Sequence, residues 1–308
     1  MFKNKVFWLI MIGIVLVIAA CSGNEEATEN SESNGENEEE LAYNPPSMDD
    51  LDPEDPMTEA IEYGEEIFNE TNTVLPDNVG NKMSCASCHA DGGLAQDSSM
   101  VGVTTQFPQY RPREDKVFTI EDRINGCMVR SMNGEKIEYD SEEMQSMTAY
   151  LAYISQGIEE GEDIPWRMLN TMEEIPEPDV DRGEDLYEEK NCLSCHATDG
   201  SGTDPNTGPA VWGENSFNDG AGMSRMVKMS GFIKNNMPPG EDDVLTDQES
   251  ADLAAYILSH ERPVWEGHET DWPDGGRPTD IIDEDRREQI REGTFDWTEI
   301  ENVVPSED

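Results

Sequence analysis

Cys85-Ala86-Ser87-Cys88-His89 and Cys192-Leu193-Ser194-Cys195-His196 carry the same C-x-x-C-H spacing. Two thiols at this separation suit two thioether bonds to one porphyrin, and the adjacent histidine places an imidazole on its iron. A redox C-x-x-C needs a βαβ context that is absent here. A four-cysteine zinc site leaves the histidine after each pair unexplained. Half of the four histidines in the chain are used in this way. The two motifs therefore predict two covalently bound haem c groups, attached through Cys85, Cys88, Cys192 and Cys195 and ligated by His89 and His196.

The surroundings of the motifs repeat as well. Gly64-x-x-x-Phe68 precedes the first and Gly183-x-x-x-Tyr187 the second, in stretches whose apolar residues recur at helical spacing. Ala149 to Ile154 and Ala254 to Leu258 follow them, and Thr246-x-x-Glu249 is a capping box for the second of these helices. The first tyrosine of each lies 61 residues after His89 and 60 after His196, in Tyr150 and Tyr256. This is a duplicated small domain. Each copy resembles a class I cytochrome c: N-terminal helix, attachment site, distal loop, C-terminal helix. The expected fold is all-α, two tandem class I cytochrome c-like domains at 56–160 and 177–262, each around a covalent haem, with an irregular N-terminal tether and C-terminal tail. The connector 161–176, with Pro165, Trp166 and Pro176, is expected to pack between the domains. The tail 263–308, with Trp265, Trp272 and Trp297, is expected to wrap around them.

Composition fits this reading. The 308 residues contain 69 acidic and 20 basic side chains, for a net charge of −49. That charge excludes a nucleic-acid binder, which needs a basic face. An apolar fraction of 35% is low for one large core but sufficient for small domains built around a cofactor. At the N-terminus, Lys3 and Lys5 precede an uncharged run from Val6 to Ala20, 15 residues long, which is short of the ~20 that span a bilayer. Residues 1–20 read as a signal peptide. The run ends Ile18-Ala19-Ala20-Cys21, which resembles a lipoprotein cleavage box, so Cys21 is the expected lipidation site and the outer face of the cytoplasmic membrane the expected location. Residues 22–40 hold eight glutamates and no basic residue, and 21–55 is read as an acidic disordered tether.

The sixth iron ligands differ between the copies. Asn236-Met237-Pro238-Pro239-Gly240 resembles the Met-Pro loop of class I cytochromes, which makes Met237 the ligand of the second haem. The first domain has instead Ile124-Asn125-Gly126-Cys127-Met128-Val129-Arg130-Ser131-Met132-Asn133-Gly134. Met237 lies 41 residues after His196, Met132 lies 43 after His89, and Cys127 lies 38 after it. Spacing alone slightly prefers Met132 and leaves Cys127 open. Thr119-x-x-Asp122 can start a helix here and Gly134 can end it. On that helix Arg123, Cys127 and Ser131 share one face at i, i+4 and i+8.

The segment from Arg123 to Gly134 resembles the thiosulfate dehydrogenase family of dihaem cytochromes. The family pattern is an arginine, a cysteine four positions on, then Arg-Ser-Met-Asn-Gly, present here from Arg130 to Gly134. The resemblance implies His/Cys ligation of the first, catalytic haem through His89 and Cys127, with Met237 on the second. It implies that Arg113 and Arg123 bind substrate and that Ser131 contacts it through its hydroxyl. It also implies oxidation of thiosulfate to tetrathionate, with electrons leaving for an external acceptor such as a cytochrome c or an oxidase. Thiolate ligation sets the first haem lower in potential than the Met237 haem.

Local charge agrees. Residues 108–136 hold six basic residues against five acids, net +1 in a chain of −49. Such an acidic chain repels small dianions, so an anion site must be built from local cations, and the planar fork of arginine suits a sulfonate. Gln109 and Arg111 are close enough in sequence to contribute. The main rival is a non-catalytic, membrane-tethered dihaem electron carrier, which needs neither an anion pocket nor a labile thiolate.

Overall fold

The computed structural model describes residues 42–168, 170–241 and 244–305. The signal peptide, Cys21 and the tether up to residue 41 lie outside these residues. In the first domain, α1 (Thr58–Asn69) buries Thr58, Ile61, Gly64, Ile67 and Phe68, one face at three- and four-residue spacing. It crosses α5 (Glu142–Ile154), which is capped by Ser141 and buries Met144, Met147, Tyr150 and Leu151. Between them come two single turns, α2 (Thr71–Val74) and α3 (Ala90–Gly93), and the longer α4 (Ile120–Arg130). A short antiparallel hairpin, β1 (Gln109–Arg111) with β2 (Lys116–Phe118), leads into α4.

The second domain repeats the plan with α6 (Val180–Glu189), the single turn α7 (Leu193–His196), α8 (Met226–Asn236) and α9 (Asp247–Ser259). The capping box opens α9: Thr246 and Glu249 bond reciprocally to each other's backbone N–H. The repeated glycines have one explanation. A Cβ at Gly64 would lie 2.1 Å from the Ser146 carbonyl oxygen, and one at Gly183 would lie 2.2 Å from that of Asp252. Only glycine lets the two helices cross this closely, which outweighs its cost of roughly 1 kcal/mol in a helix. Phe68 then meets Tyr150, and Tyr187 meets Tyr256, at the same centroid distance of 5.7 Å.

Three segments depart from or refine the sequence reading. Residues 42–55 are not a loose continuation of the tether. Tyr153 donates to the Ser47 carbonyl (2.6 Å), Met48 and Leu51 pack on the first core, and the Tyr43 hydroxyl bonds Leu94 and Ser99. Apolar side chains and a tyrosine fix this stretch where its acidic composition suggested tether. The connector packs on both domains. Trp166 packs on the first domain beneath Tyr43 and bonds the Val101 carbonyl, while Met172 and Ile175 enter the second core. The tail adds Ile282, Ile290 and Ile300 to that second core. It supplies α10 (Glu284–Arg291) and pairs β4 (Val303–Val304) in parallel with β3 (Ile175–Pro176).

Neutral groups join the two domains. Asn218 donates from Nδ2 to the Val129 carbonyl (2.9 Å) and to Asn133 Oδ1 (3.0 Å), and Asn81 donates to the carbonyls of Ser131 (2.9 Å) and Ser216 (3.1 Å). Ser87, inside the first attachment motif, donates to the Pro205 carbonyl, and Asn206 to that of Asn69. The loop 216–218 is thereby fixed against the C-terminal end of α4. No helix among the described residues is long and apolar enough to cross a membrane.

Candidate active site: a cation-walled cavity over the first attachment motif

Each attachment histidine is oriented by one carbonyl. His89 Nδ1 lies 2.8 Å from the Ser98 oxygen and His196 Nδ1 2.8 Å from the Pro209 oxygen. A carbonyl only accepts, so Nδ1 carries the proton and Nε2 keeps its lone pair for a metal. Burial pushes both imidazoles down in pKa, which keeps them neutral.

A cavity of about 580 Å³ opens over Cys85, Cys88 and His89, with apolar walls from Phe68, Met128 and Leu151. Two thiols, one imidazole with a free Nε2, and an apolar slot fit a haem c. Cys127 and Met132 also line this cavity. In the second domain Met237 follows the end of α8 and packs on the same core as Cys192, Leu193 and Tyr256, a set that likewise fits a haem c. Asn236, just before it, is tied to Asn170 (2.8 Å).

The helix α4 forms because Thr119 and Asp122 cap its start reciprocally. It ends at Arg130, short of Gly134. Asn133 takes the left-handed conformation (φ 46°), and the Gly134 N–H bonds the Met128 carbonyl at 2.9 Å. Gly134 is required for a different reason: a Cβ there would meet the Asn78 carbonyl at 2.0 Å. Arg123, Cys127 and Ser131 all face the cavity. Arg123 Nη1 lies 2.7 Å from Cys127 Sγ, and the charge of that sulfur, the largest influence, raises the Arg123 guanidinium in pKa against the effect of burial. Met132 is 4% exposed within the first core, and its carbonyl receives the N–H groups of Gly80 and Asn81.

Arg113 lines the cavity too, but three of its N–H groups are engaged. Nε and Nη2 grip Asp271 of the tail (2.9 and 2.6 Å), Nη1 bonds the Gly220 carbonyl (2.8 Å), and the guanidinium lies 4.7 Å from the Trp272 ring. Two N–H groups remain for an anion. Arg130 is bound to Glu114 (2.9 Å) and Arg225 to Asp280 (2.9 Å). Arg111, Arg167 and Lys228 line the same cavity, and none has a carboxylate partner among the described residues. Lys228 donates to the Thr171 hydroxyl. Gln109 is in the hairpin and does not line the cavity. Arg167 and Lys228 escaped the sequence reading because they are remote from α4 in the chain. Arg167 was detectable only as the one basic side chain in the connector.

Behind the cavity, Asp219 is completely shielded. It accepts from the Trp265 N–H (2.7 Å), His268 Nε2 (2.7 Å) and Arg287 Nη1 (3.1 Å). Burial raises its pKa, yet the bonds from His268 and Trp265 outweigh that and hold it below the ordinary carboxylate value. His268 and Asp219 reach the cavity wall, so this cluster fixes the tail over the site.

Comparison with known proteins agrees with this geometry. The SoxA/TsdA cytochrome c domain family matches residues 64–159, and the cytochrome c family matches residues 180–261. The chain is 40% identical to a thiosulfate dehydrogenase of Allochromatium vinosum, over 70% of this chain and 82% of that one. It is 37% identical to one of Psychrobacter arcticus, over 74% and 71%. Its fold is similar to that of the thiosulfate dehydrogenase TsdBA of Marichromatium purpuratum, with a TM-score of 0.69 and 34% identity. That match covers 77% of this chain and 54% of the longer TsdBA chain. The two domains are cytochrome c domains that bind haem c, and the chain belongs to the thiosulfate dehydrogenase family.

Proposed function

We propose that the protein oxidises thiosulfate to tetrathionate and delivers the electrons to an external acceptor. Two thiosulfate dianions each give up one electron, one S–S bond forms between their terminal sulfurs, and no proton is exchanged. The observation that carries the reading is the contact of Arg123 with Cys127 inside the cavity that holds the first attachment motif.

In this reading two covalently bound haem c groups are held by Cys85, Cys88 and His89, and by Cys192, Cys195 and His196, with Cys127 and Met237 as sixth ligands. They supply one-electron acceptance at two unequal potentials. The chain supplies the rest. Arg123 places a guanidinium beside the Cys127 sulfur and offsets the charge of an arriving sulfonate. Ser131, one turn further on, offers a hydroxyl to the same anion. Arg113 adds its two remaining N–H groups and, through Asp271, holds the tail as a wall. Such positioning counts most where water is excluded. The same seats serve tetrathionate when the reaction runs backwards. Lys3, Lys5, the short apolar run and Cys21 support export and a lipid anchor on the outer face of the membrane. The acidic surface favours a basic acceptor such as a cytochrome c.

Thiosulfate-dependent reduction of ferricyanide by the purified, haem-loaded protein tests this directly. The expected result is one tetrathionate for every two electrons. No turnover across pH and salt, with both haems intact and reducible, would leave a tethered electron carrier instead.

A further inference from the structure

The reaction brings together two dianions, whereas the Arg123–Cys127 contact provides for one. The cavity contains a second set of cations that this contact does not use. Arg111 comes from the hairpin before α4, Arg167 from the connector, and Lys228 from α8 of the second domain. All line the cavity, and none meets a carboxylate among the described residues, although the chain as a whole has 69 acidic side chains. The other cations around the cavity, Arg113, Arg130 and Arg225, are each neutralised by an acid.

The charges of these cations also act on one another and on Arg123. Burial and then the charge of Arg123 hold Arg111 down against Glu114; burial, Arg123 and Arg111 hold Arg167 down; burial and then Arg225 hold Lys228 down against Glu173 and Asp280. All three share the cavity wall with Cys127 and Arg123. Cations gathered on one cavity wall with no carboxylate in direct contact are an arrangement that an oxyanion relieves. A molecule with a sulfonate at each end needs two anion seats, and these three cations are the set that the Arg123–Cys127 contact leaves unused.

We propose that Arg111, Arg167 and Lys228 form a second oxyanion seat, which holds the outer sulfonate of the thiosulfate pair and of tetrathionate. The inference rests on the functional reading above and extends it. The second cytochrome domain and the connector take part in substrate binding as well as in accepting electrons, so the first domain alone has an incomplete site.

The test uses the holoprotein with both haems attached, in the variants R167Q, K228Q and R167K. Each glutamine variant is expected to raise the half-saturating thiosulfate concentration about tenfold, as expected for one lost charge-assisted bond. The maximal rate and the haem spectra are expected to stay within about twofold of wild type. R167K keeps the charge and is expected to recover part of the loss. Calorimetric titration of the oxidised holoprotein with tetrathionate gives the second readout, with binding weakened in the same order. Unchanged half-saturation and unchanged tetrathionate binding in R167Q and K228Q overturn the proposal. So does a shifted midpoint potential of the first haem with unchanged half-saturation, which assigns the cations to the haem propionates. If wild type binds tetrathionate and R167Q does not, but neither turns thiosulfate over, the seat stands and the proposed activity falls.

Discussion

The two cytochrome domains share one scaffold and differ in one wall. In both, a glycine lets the first and last helices touch, an aromatic pair packs at 5.7 Å beside the crossing, and a carbonyl 2.8 Å from Nδ1 aims the attachment histidine. The distal sides diverge. In the second domain Met237 follows the end of α8, a neutral, half-buried thioether packed against an apolar core. In the first domain a cysteine sits inside α4, one turn after the arginine that touches it, facing a cavity rather than a closed core. The proximal half of the fold thus holds a cofactor, and the distal helix determines what else can approach it.

Five experiments would break or sharpen that contrast. The largest effect is expected from Cys127→Gly, which should lower turnover at least about a thousandfold, ~4 kcal/mol in the barrier, with both haems still attached. Met237→Gly should instead leave thiosulfate able to reduce the first haem while delivery onward slows. Stopped-flow spectra of the two haems separate these outcomes, and equal damage to the first step would erase the division of labour. Next, Gly64→Ala and Gly183→Ala should destabilise by similar amounts, about 1–3 kcal/mol each, because both added methyls strike a carbonyl. Thermal unfolding in which one is tolerated would show that the scaffolds are not equivalent.

A smaller effect is expected at Asp271→Asn, which weakens the grip on Arg113 from the tail. The half-saturating thiosulfate concentration should rise a few-fold, for roughly 1 kcal/mol, with no change at the second haem. The mildest test is acid. Asp219 belongs to the second domain and has a depressed pKa. Its contribution to stability is complete above the unfolded value of ~3.9 and is lost as pH falls through the lower folded one. Acid melting monitored at the haem of the second domain should therefore steepen below about pH 4, and it should be less steep in Asp219→Asn. Identical acid profiles would remove Asp219 as a support of the tail.

The repeated halves were legible because covalent attachment demands C-x-x-C-H and close helix crossing demands glycine, so each leaves a fixed pattern in sequence. The start of α4 was legible for the same reason, through Thr119 and Asp122. The rest of the cavity depends on residues distant in the chain. Arg167 and Lys228 reach it from the connector and the second domain, and nothing local distinguishes them from surface cations. The partner of Arg113 is Asp271, one of 69 acidic side chains, and only the folded tail selects it. Residues 42–55 misled because their composition is acidic, while three side chains, Tyr43, Met48 and Leu51, determine their place.

The seam between the domains has a consequence for rate. Ser87, Asn206, Asn81 and Asn218 bridge it with a hydroxyl and three carboxamides that carry no charge, and Arg113 adds a charged clasp to Asp271 and the Gly220 carbonyl that is largely shielded from solvent. Salt compresses the electrostatic reach of a −49 chain from tens of ångströms to a few, so every encounter with a charged partner must change with salinity. The spacing of the two domains is set by neutral bonds and a shielded ion pair, which salt reaches far less. Internal transfer should therefore keep one speed from dilute buffer to brine, and only arrival and departure should feel the medium.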